Sequence, residues 1–170
     1  AEFESQFLVD LLLSNPTMDE DGVALFHASH GNLETGAGSV LSLDALSAAR
    51  RAMRLQKGLD KKTPVDAAPK FLIVPAALET TGEQLLAQIT AAKTADVNVF
   101  GGKLDLIVDP RLDVVSSTRW FLAADPALID TIEYSYLDSA GGPEIFTKEG
   151  FEIDGMEMKV RLDFGAGVQD

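Results

Sequence analysis

The chain has 170 residues, carries a net charge of -13 at neutral pH and contains no cysteine. Its balance of apolar and charged residues is typical of a folded globular protein, and the missing cysteines exclude disulfides and thiolate metal sites. An acidic protein lacks the cations that neutralise phosphates, so we expect no sequence-specific nucleic-acid binding. The sequence shows neither a run of about 18 apolar residues nor a signal-peptide pattern, so we expect no membrane span and synthesis in the cytoplasm.

Two amphipathic helices are predicted in the first part of the chain. Residues 2–13 place apolar side chains at helical spacing and end before a proline. Residues 17–38 follow as an irregular segment that ends in a glycine-rich turn. Ser42 is a suitable N-cap for a second helix, which Gly58 would close. The side chains expected to face inward from this helix are Leu43, Leu46, Ala49, Ala52 and Met53.

A strand that passes directly into a helix is predicted near the centre of the chain. Residues 71–74 form a short apolar run rich in β-branched side chains, as expected for a strand covered on both faces. Pro75 suits the first position of a helix that runs to about residue 92, and Glu79 and Glu83 lie near the positive end of its dipole. The helix face expected to pack on the strand contains Leu78, Gly82, Leu85, Leu86 and Ile89.

The second half of the chain is predicted to form mainly strands. Apolar or alternating runs at residues 104–108, 120–124 and 132–137 predict three strands. Two alternating runs within residues 151–164 flank Asp154-Gly155 and predict a hairpin. Because these strands follow one another without intervening helices, we predict an α+β fold with a mixed or antiparallel sheet flanked by helices.

Basic side chains are concentrated in one short stretch at the end of the second predicted helix. They are Arg50, Arg51, Arg54, Lys57, Lys61 and Lys62. One interpretation is a solvated helix end, because the dipole favours cations near a helix C-terminus. The other is a patch that meets an acidic surface of a neighbouring subunit. Charge alone does not decide between these two interpretations.

His27 and His30 are the only histidines, and with Asp19 or Asp21 they raise the question of a metal site. Their spacing differs from the i, i+4 pair of a helical zinc-protease motif, and the glycine that follows indicates a loop. We therefore expect local hydrogen-bonded structure here, with no metal and no cofactor. Ser29 lies between the histidines, but the chain has no G-x-S-x-G turn, which argues against acyl-transfer catalysis.

Tyr134 and Tyr136 lie two residues apart on a predicted strand and therefore share a face. An aromatic pair of this kind indicates a cross-strand contact or an intersubunit contact.

Several blocks of sequence, in order, resemble the Mu-type major head subunits of tailed bacteriophages and their prophages, which are capsid proteins. The first two blocks read GVALFHASHGNL and LSAARRAMRLQ. The blocks are residues 22–33, 46–56, 68–86, 95–101, 125–137 and 150–155, the last leading into 159–166. No block is a chemical signature, but together they span nearly the whole chain in the order that the family shows.

The resemblance implies the shell-forming fold shared by tailed-phage and herpesvirus floor proteins, here as its C-terminal portion. Residues 1–42 and 144–170 would be mainly peripheral-domain elements, and residues 43–143 mainly axial-domain elements. Residues 2–13 would be the end of the long spine helix. We expect the N-terminal arm and the extended hairpin of the family to be missing from this chain.

The resemblance also implies a non-catalytic structural protein of the virion capsid, which forms homo-oligomeric capsomers around DNA together with other head-assembly proteins. The resemblance then favours the interpretation of the basic stretch as an intersubunit contact, because coat subunits repeat one interface many times. Two other classes stay open at this stage. One is a small metal-dependent hydrolase built on His27 and His30, and the other is a binding module that displays residues 17–38. A related compartment shell for another cargo would share the fold.

Overall fold

The computed structural model describes residues 2–19, 21–58, 62–87, 103–137, 141–149 and 155–168. Within these residues there are four α-helices, seven strands and three short 3-10 turns. The helices are α1 (Glu2–Ser14), α2 (Leu43–Leu55), α3 (Glu79–Leu86) and α4 (Arg111–Val115). The strands are β1 (Pro69–Val74), β2 (Asp105–Val108), β3 (Phe121–Ala124), β4 (Ile132–Tyr136), β5 (Glu144–Glu149), β6 (Met156–Arg161) and β7 (Phe164–Val168). The 3-10 turns are Ala28–His30, Gly36–Ser39 and Ala76–Leu78.

The described strands are divided among three sheets. Strand β1 is the centre of the first sheet, parallel to β2 on one side and antiparallel to β3 on the other. Strands β4 and β7 form an antiparallel pair, and β5 and β6 form another. Helices combined with mixed and antiparallel sheets confirm the predicted α+β class, whereas the division into three sheets was not evident from the sequence.

The core is built around β1 and the first turn of α2. Leu46, Leu72 and Val74 have no exposed surface, and they pack with the buried Leu41 and Leu104. Half-buried side chains that surround this cluster are Leu78, Leu85, Leu86, Leu106, Val108, Trp120 and Leu122. The neighbours of Leu72 and Val74 along the strand are only half-buried. The prediction of a strand fully covered on both faces is therefore wrong for one face.

The junction after β1 differs from the predicted helix start. Pro75 has φ -67° and ψ 161°, so it is extended and precedes the 3-10 turn Ala76–Leu78, after which α3 begins at Glu79. Proline fixes φ but leaves ψ open, so Pro75 can stand before a helix as readily as inside it. Residues 88–92 of the predicted helix, with Ile89, lie outside the described residues.

The packing face of α3 is confirmed where it is described. Gly82 is buried, and a Cβ built on it would lie 2.9 Å from Cδ1 of Leu106 on β2. This helix and strand therefore approach closely because residue 82 has no side chain.

Helix α2 begins as predicted, since the Ser42 side chain accepts the N–H of Ala45. It ends at Leu55, three residues before the predicted cap Gly58, because Gln56 leaves the helix and accepts the N–H of Val65. The predicted inward face is only partly right. Ala45 and Leu46 are buried, Ala49 and Met53 are half-buried, and Leu43 and Ala52 are exposed.

In the C-terminal segment, β6 pairs with a strand that was not predicted. Residues 144–149 form this strand, β5. Residues 151–154, which include the first run of the hairpin predicted about Asp154-Gly155, lie outside the described residues. The apolar run that begins at residue 156 is divided at Leu162 into β6 and β7, which belong to different sheets. The five-residue helix α4 was also not predicted.

Candidate assembly surfaces and the histidine loop

The two histidines lie in a loop that their own hydrogen bonds organise. Nε2 of His30 is 2.8 Å from Oδ2 of Asp21, and Nδ1 is 3.1 Å from the carbonyl oxygen of Leu25. Both partners are acceptors, so the doubly protonated imidazolium satisfies both contacts. The Asp21 hydrogen bond, aided by the Leu25 carbonyl, raises the pKa of His30 above its ordinary value. The same contact lowers the pKa of Asp21.

His27 caps the next turn of this loop. Its Nδ1 accepts the backbone N–H of Ser29 at 3.2 Å and lies 2.7 Å from the Ser29 hydroxyl. The rings of His27 and His30 meet edge to face, with centroids 6.1 Å apart. Across the described residues, no three His, Cys, Asp or Glu side chains converge in a way that could hold a metal ion. The two histidines therefore belong to a loop that is held by hydrogen bonds between its own residues.

The predicted basic stretch forms a ridge along the last turns of α2 and the residues just after it, whereas Lys61 lies outside the described residues. Arg51 and Lys57 are exposed, and Arg50 is half-buried. Arg54 is exposed but forms an ion pair with Asp66, with Nη1 2.6 Å from Oδ1. Ser47, Arg50, Arg51, Arg54 and Leu55 line a shallow groove along this ridge. The ridge therefore combines positive charge with an exposed apolar side chain, Leu55.

Tyr134 and Tyr136 belong to an aromatic cluster between α1 and the β4–β7 sheet. Both rings contact Phe164 of β7, with centroids 5.8 and 5.5 Å away, and Phe7 of α1 meets the same ring edge to face at 5.6 Å. The Tyr136 hydroxyl donates to Oε1 of Glu4 at 2.8 Å, which raises the pKa of Tyr136. Tyr136 thus has a cross-strand role inside the chain, whereas Tyr134 remains 59% exposed.

A second set of contacts, which the sequence analysis missed, fixes α4 against α1. Arg111 donates from Nε and Nη2 to the carboxylate of Asp109 and from Nη1 to the Ser5 hydroxyl at 3.0 Å. These hydrogen bonds lower the pKa of Asp109, whose side chain is 14% exposed. A carboxylate two residues before an arginine was the available signal.

These features define the class of the fold, an α+β domain with mixed and antiparallel sheets. The basic ridge lies on its surface, and the aromatic cluster joins α1 to the β4–β7 sheet.

Comparison with known proteins agrees with that class. The sequence pattern of a family described as phage capsid protein matches residues 1–170. The chain therefore belongs to the phage capsid protein family, and it is a structural protein of the virion with an α+β capsid-like fold. No curated protein matches it significantly, and neither does any solved structure. In the described part of the chain, no helix is both long and apolar enough to cross a bilayer.

Proposed function

We propose that this chain is a coat subunit of the Mu type, which assembles with copies of itself into the capsomers of a DNA-filled head and performs no catalysis. The family match over residues 1–170 carries this proposal. The six sequence blocks described above favour the Mu type within that family. The subunit would be made in the cytoplasm of the bacterial host and would work with other head-assembly proteins.

The domain assignment forms part of the proposal. Residues 43–143 would lie mainly in the axial domain, and residues 1–42 and 144–170 mainly in the peripheral domain. One contact supports a link between the first and last segments, since Phe7 of α1 packs on Phe164 of β7 and both lie in the proposed peripheral part. Strand β4 pairs with β7 and would connect the two domains.

The ridge of α2 is the proposed site of an electrostatic contact between subunits. Arg51 and Lys57 are exposed cations on a chain of net charge -13, so an acidic surface of a second copy attracts them. Arg54 forms an ion pair with Asp66 of its own chain, so it contributes less to a contact with a second copy. Surface pairs are individually weak, and their effect grows when one contact repeats around a ring.

The proposal is tested by producing the coat protein, following its assembly by sedimentation and imaging the products by electron microscopy. We expect closed shells or capsomer rings that dissociate as salt is raised, because salt screens the ridge contacts. A protein that remains monomeric at every concentration and in every salt would contradict the assembly function.

The ridge itself is tested by Arg51→Glu, with Arg119→Glu as the matched control. Both residues are exposed arginines, so both variants change the net charge equally. We expect assembly to weaken in the first variant and to be unchanged in the second. Equal effects would show that net charge matters and the ridge does not. The triple reversal of Arg50, Arg51 and Arg54 should weaken assembly further, although part of that effect comes from losing the Asp66 ion pair.

A further inference from the structure

The hairpin formed by β5 and β6 has two faces of opposite chemistry. In the antiparallel register Ile145 is opposite Val160, Thr147 is opposite Met158, and Glu149 is opposite Met156. Side chains of directly opposed residues share a face of the sheet. One face therefore presents four large aliphatic side chains in a row, with Thr147 between them and Glu149 at the far end.

The other face of the hairpin is charged. Glu144 is opposite Arg161, Phe146 is opposite Lys159, and Lys148 is opposite Glu157. Opposite charges placed across from each other stabilise an antiparallel pair and suit contact with water. The alternation along both strands thus gives one face that water solvates well and one that it does not.

Within the described part of the chain, the aliphatic face is largely exposed. Ile145, Met156, Met158 and Val160 are 64–69% exposed. Together they present on the order of 400 Å² of apolar surface, which is the size of the largest patch on a typical monomer and marks contact sites. Such a contiguous patch on a chain that forms a shell calls for a partner chain that removes it from water.

We propose that this aliphatic face packs against the same face of a second copy of the chain. The proposal deepens the assembly function and depends on it. Two observations favour a second copy over a different partner. The two strands carry three acidic and three basic residues, so together they are neutral on a chain of net charge -13, and two copies can approach along the strands without mutual repulsion.

The second observation concerns the shape and composition of the face. Like surfaces pair across a two-fold axis when they are self-complementary, and a flat row of aliphatic side chains with no charge at its centre meets that condition. Two of the four side chains are methionines, which adapt their shape to a facing surface. A charged partner would gain nothing from this face, because its central positions offer no charged group.

The size of the patch also sets the strength of the contact. Two such faces would bury on the order of 800 Å² in total, below the roughly 1,200–2,000 Å² of a stable interface. A single pair of chains therefore associates weakly. The contact becomes effective when neighbouring contacts in the same shell hold the hairpins close together.

The first test uses the natural absence of cysteine, so that one introduced thiol is unique in the chain. Met158→Cys places the thiol at the centre of the aliphatic face, and Lys159→Cys places it on the charged face. Packed sheets lie about 10 Å apart, beyond the reach of a disulfide, so a short bis-maleimide is the suitable crosslinker. We expect crosslinked dimers of the chain in assembled material of the first variant and almost none in the second.

Crosslinking that is equal in the two cysteine variants, absent from both, or directed to a different protein would overturn the proposal. Shells that form normally while Met158→Cys stays uncrosslinked would refute the face-to-face contact and leave the assembly function intact. Failure of the unmodified protein to assemble would instead refute the proposed function, and this inference with it.

The second test weakens the face while keeping its shape and strand propensity. The double variant Met158→Gln with Val160→Thr should reduce association roughly tenfold, because apolar area buried by both copies becomes polar. Phe146→Thr is the matched control, since it removes an exposed apolar side chain from the other face of the same hairpin. Association that stays unchanged in the double variant, or falls equally in the control, would overturn the proposal.

Discussion

Asp113 and Ala76 are joined by a hydrogen bond between two segments that lie far apart in the chain. The Asp113 carboxylate accepts the backbone N–H of Ala76 at 2.7 Å and that of Ala77 at 3.4 Å. The side chain that satisfies the first N–H groups after β1 thus comes from α4, not from the glutamates of α3. This contact holds the end of the central strand, the following turn and α4 in one arrangement.

Replacing Asp113 with alanine should destabilise the fold by about 0.5–2 kcal/mol, as the loss of other side-chain caps does. Asp113→Asn is the control, because an amide oxygen can still accept from Ala76. Urea denaturation followed by circular dichroism measures both variants. A loss of equal size in the two variants would mean that charge, and not hydrogen bonding, is what Asp113 supplies.

Gly82 predicts a steric effect at the contact between α3 and β2. Gly82→Val should lower the free energy of unfolding by about 1–3 kcal/mol, because its side chain must displace Leu106 from the core. Gln84→Val tests the cost of a β-branched residue at an exposed position of the same helix. Thermal or urea unfolding checks the pair, and equal stability of the Gly82 variant and the original chain would contradict the close approach.

The His30–Asp21 contact predicts a pH dependence. The pKa of His30 is raised in the folded chain, so its stabilising contribution is complete below the ordinary histidine pKa and is lost as pH rises through the folded value. The pKa of Asp21 is lowered, so its contribution is lost as pH falls through that lower value. The pair therefore stabilises the loop most at mildly acidic pH, between the ordinary pKa of aspartate and the ordinary pKa of histidine.

Histidine resonances in an NMR titration measure this effect directly. Asp21→Asn should lower the pKa of His30, because the asparagine side chain bears no negative charge. His27→Gln leaves the Asp21 contact in place and assigns the remaining signal. A His30 pKa that is the same in the original chain and in the Asp21→Asn variant would show that the contact is absent in solution.

Loss of the Arg111–Asp109 ion pair should lower the free energy of unfolding by an amount that depends on pH. Arg111→Met removes the partner of a mostly buried carboxylate and should destabilise the fold by roughly 1.5–3 kcal/mol at neutral pH. The lowered pKa of Asp109 means that its contribution is present above the ordinary aspartate pKa and is lost as pH falls through the folded value. The difference in stability between the original chain and the variant should therefore shrink in acid. A difference independent of pH would exclude the ion pair as its cause.

Tyr136 and Tyr134 allow a matched comparison, since they are the only tyrosines. Tyr136→Phe removes the hydrogen bond to Glu4 but keeps the ring on Phe164, and it should lower the free energy of unfolding. Tyr134→Phe keeps the Glu4 contact and should cost less. Ultraviolet titration of the two variants should also show that Tyr136 ionises at higher pH than an ordinary tyrosine.

Local patterns predicted the elements well where each element depends on its own residues. Helix α1, the N-cap at Ser42 and strands β1 to β4 follow from spacing, capping chemistry and short apolar runs, and all are present. The resemblance to capsid proteins was also available from sequence, because it depends on the order of blocks along the chain. The family match confirms its coarser part, a phage capsid protein.

Local sequence patterns did not predict the features that depend on pairing between distant segments. The early end of α2 follows from the pairing of Gln56 with Val65, and the division at Leu162 follows from β6 and β7 having different partners. Strand β5 was missed because residues 144–149 alternate only weakly, with Ile145 and Phe146 adjacent and on opposite faces.

The sequence by itself determined the class of fold, the family and the acidic character of the surface, because composition, short-range periodicity and block order are properties of the chain. Tertiary structure alone decided that Asp113 caps a turn 37 residues away and that Arg111 reaches Ser5. It also decided that four aliphatic side chains of β5 and β6 share one largely exposed face. Hydrogen bonding and burial depend on which segments meet in space, and strand register sets which side chains stand together.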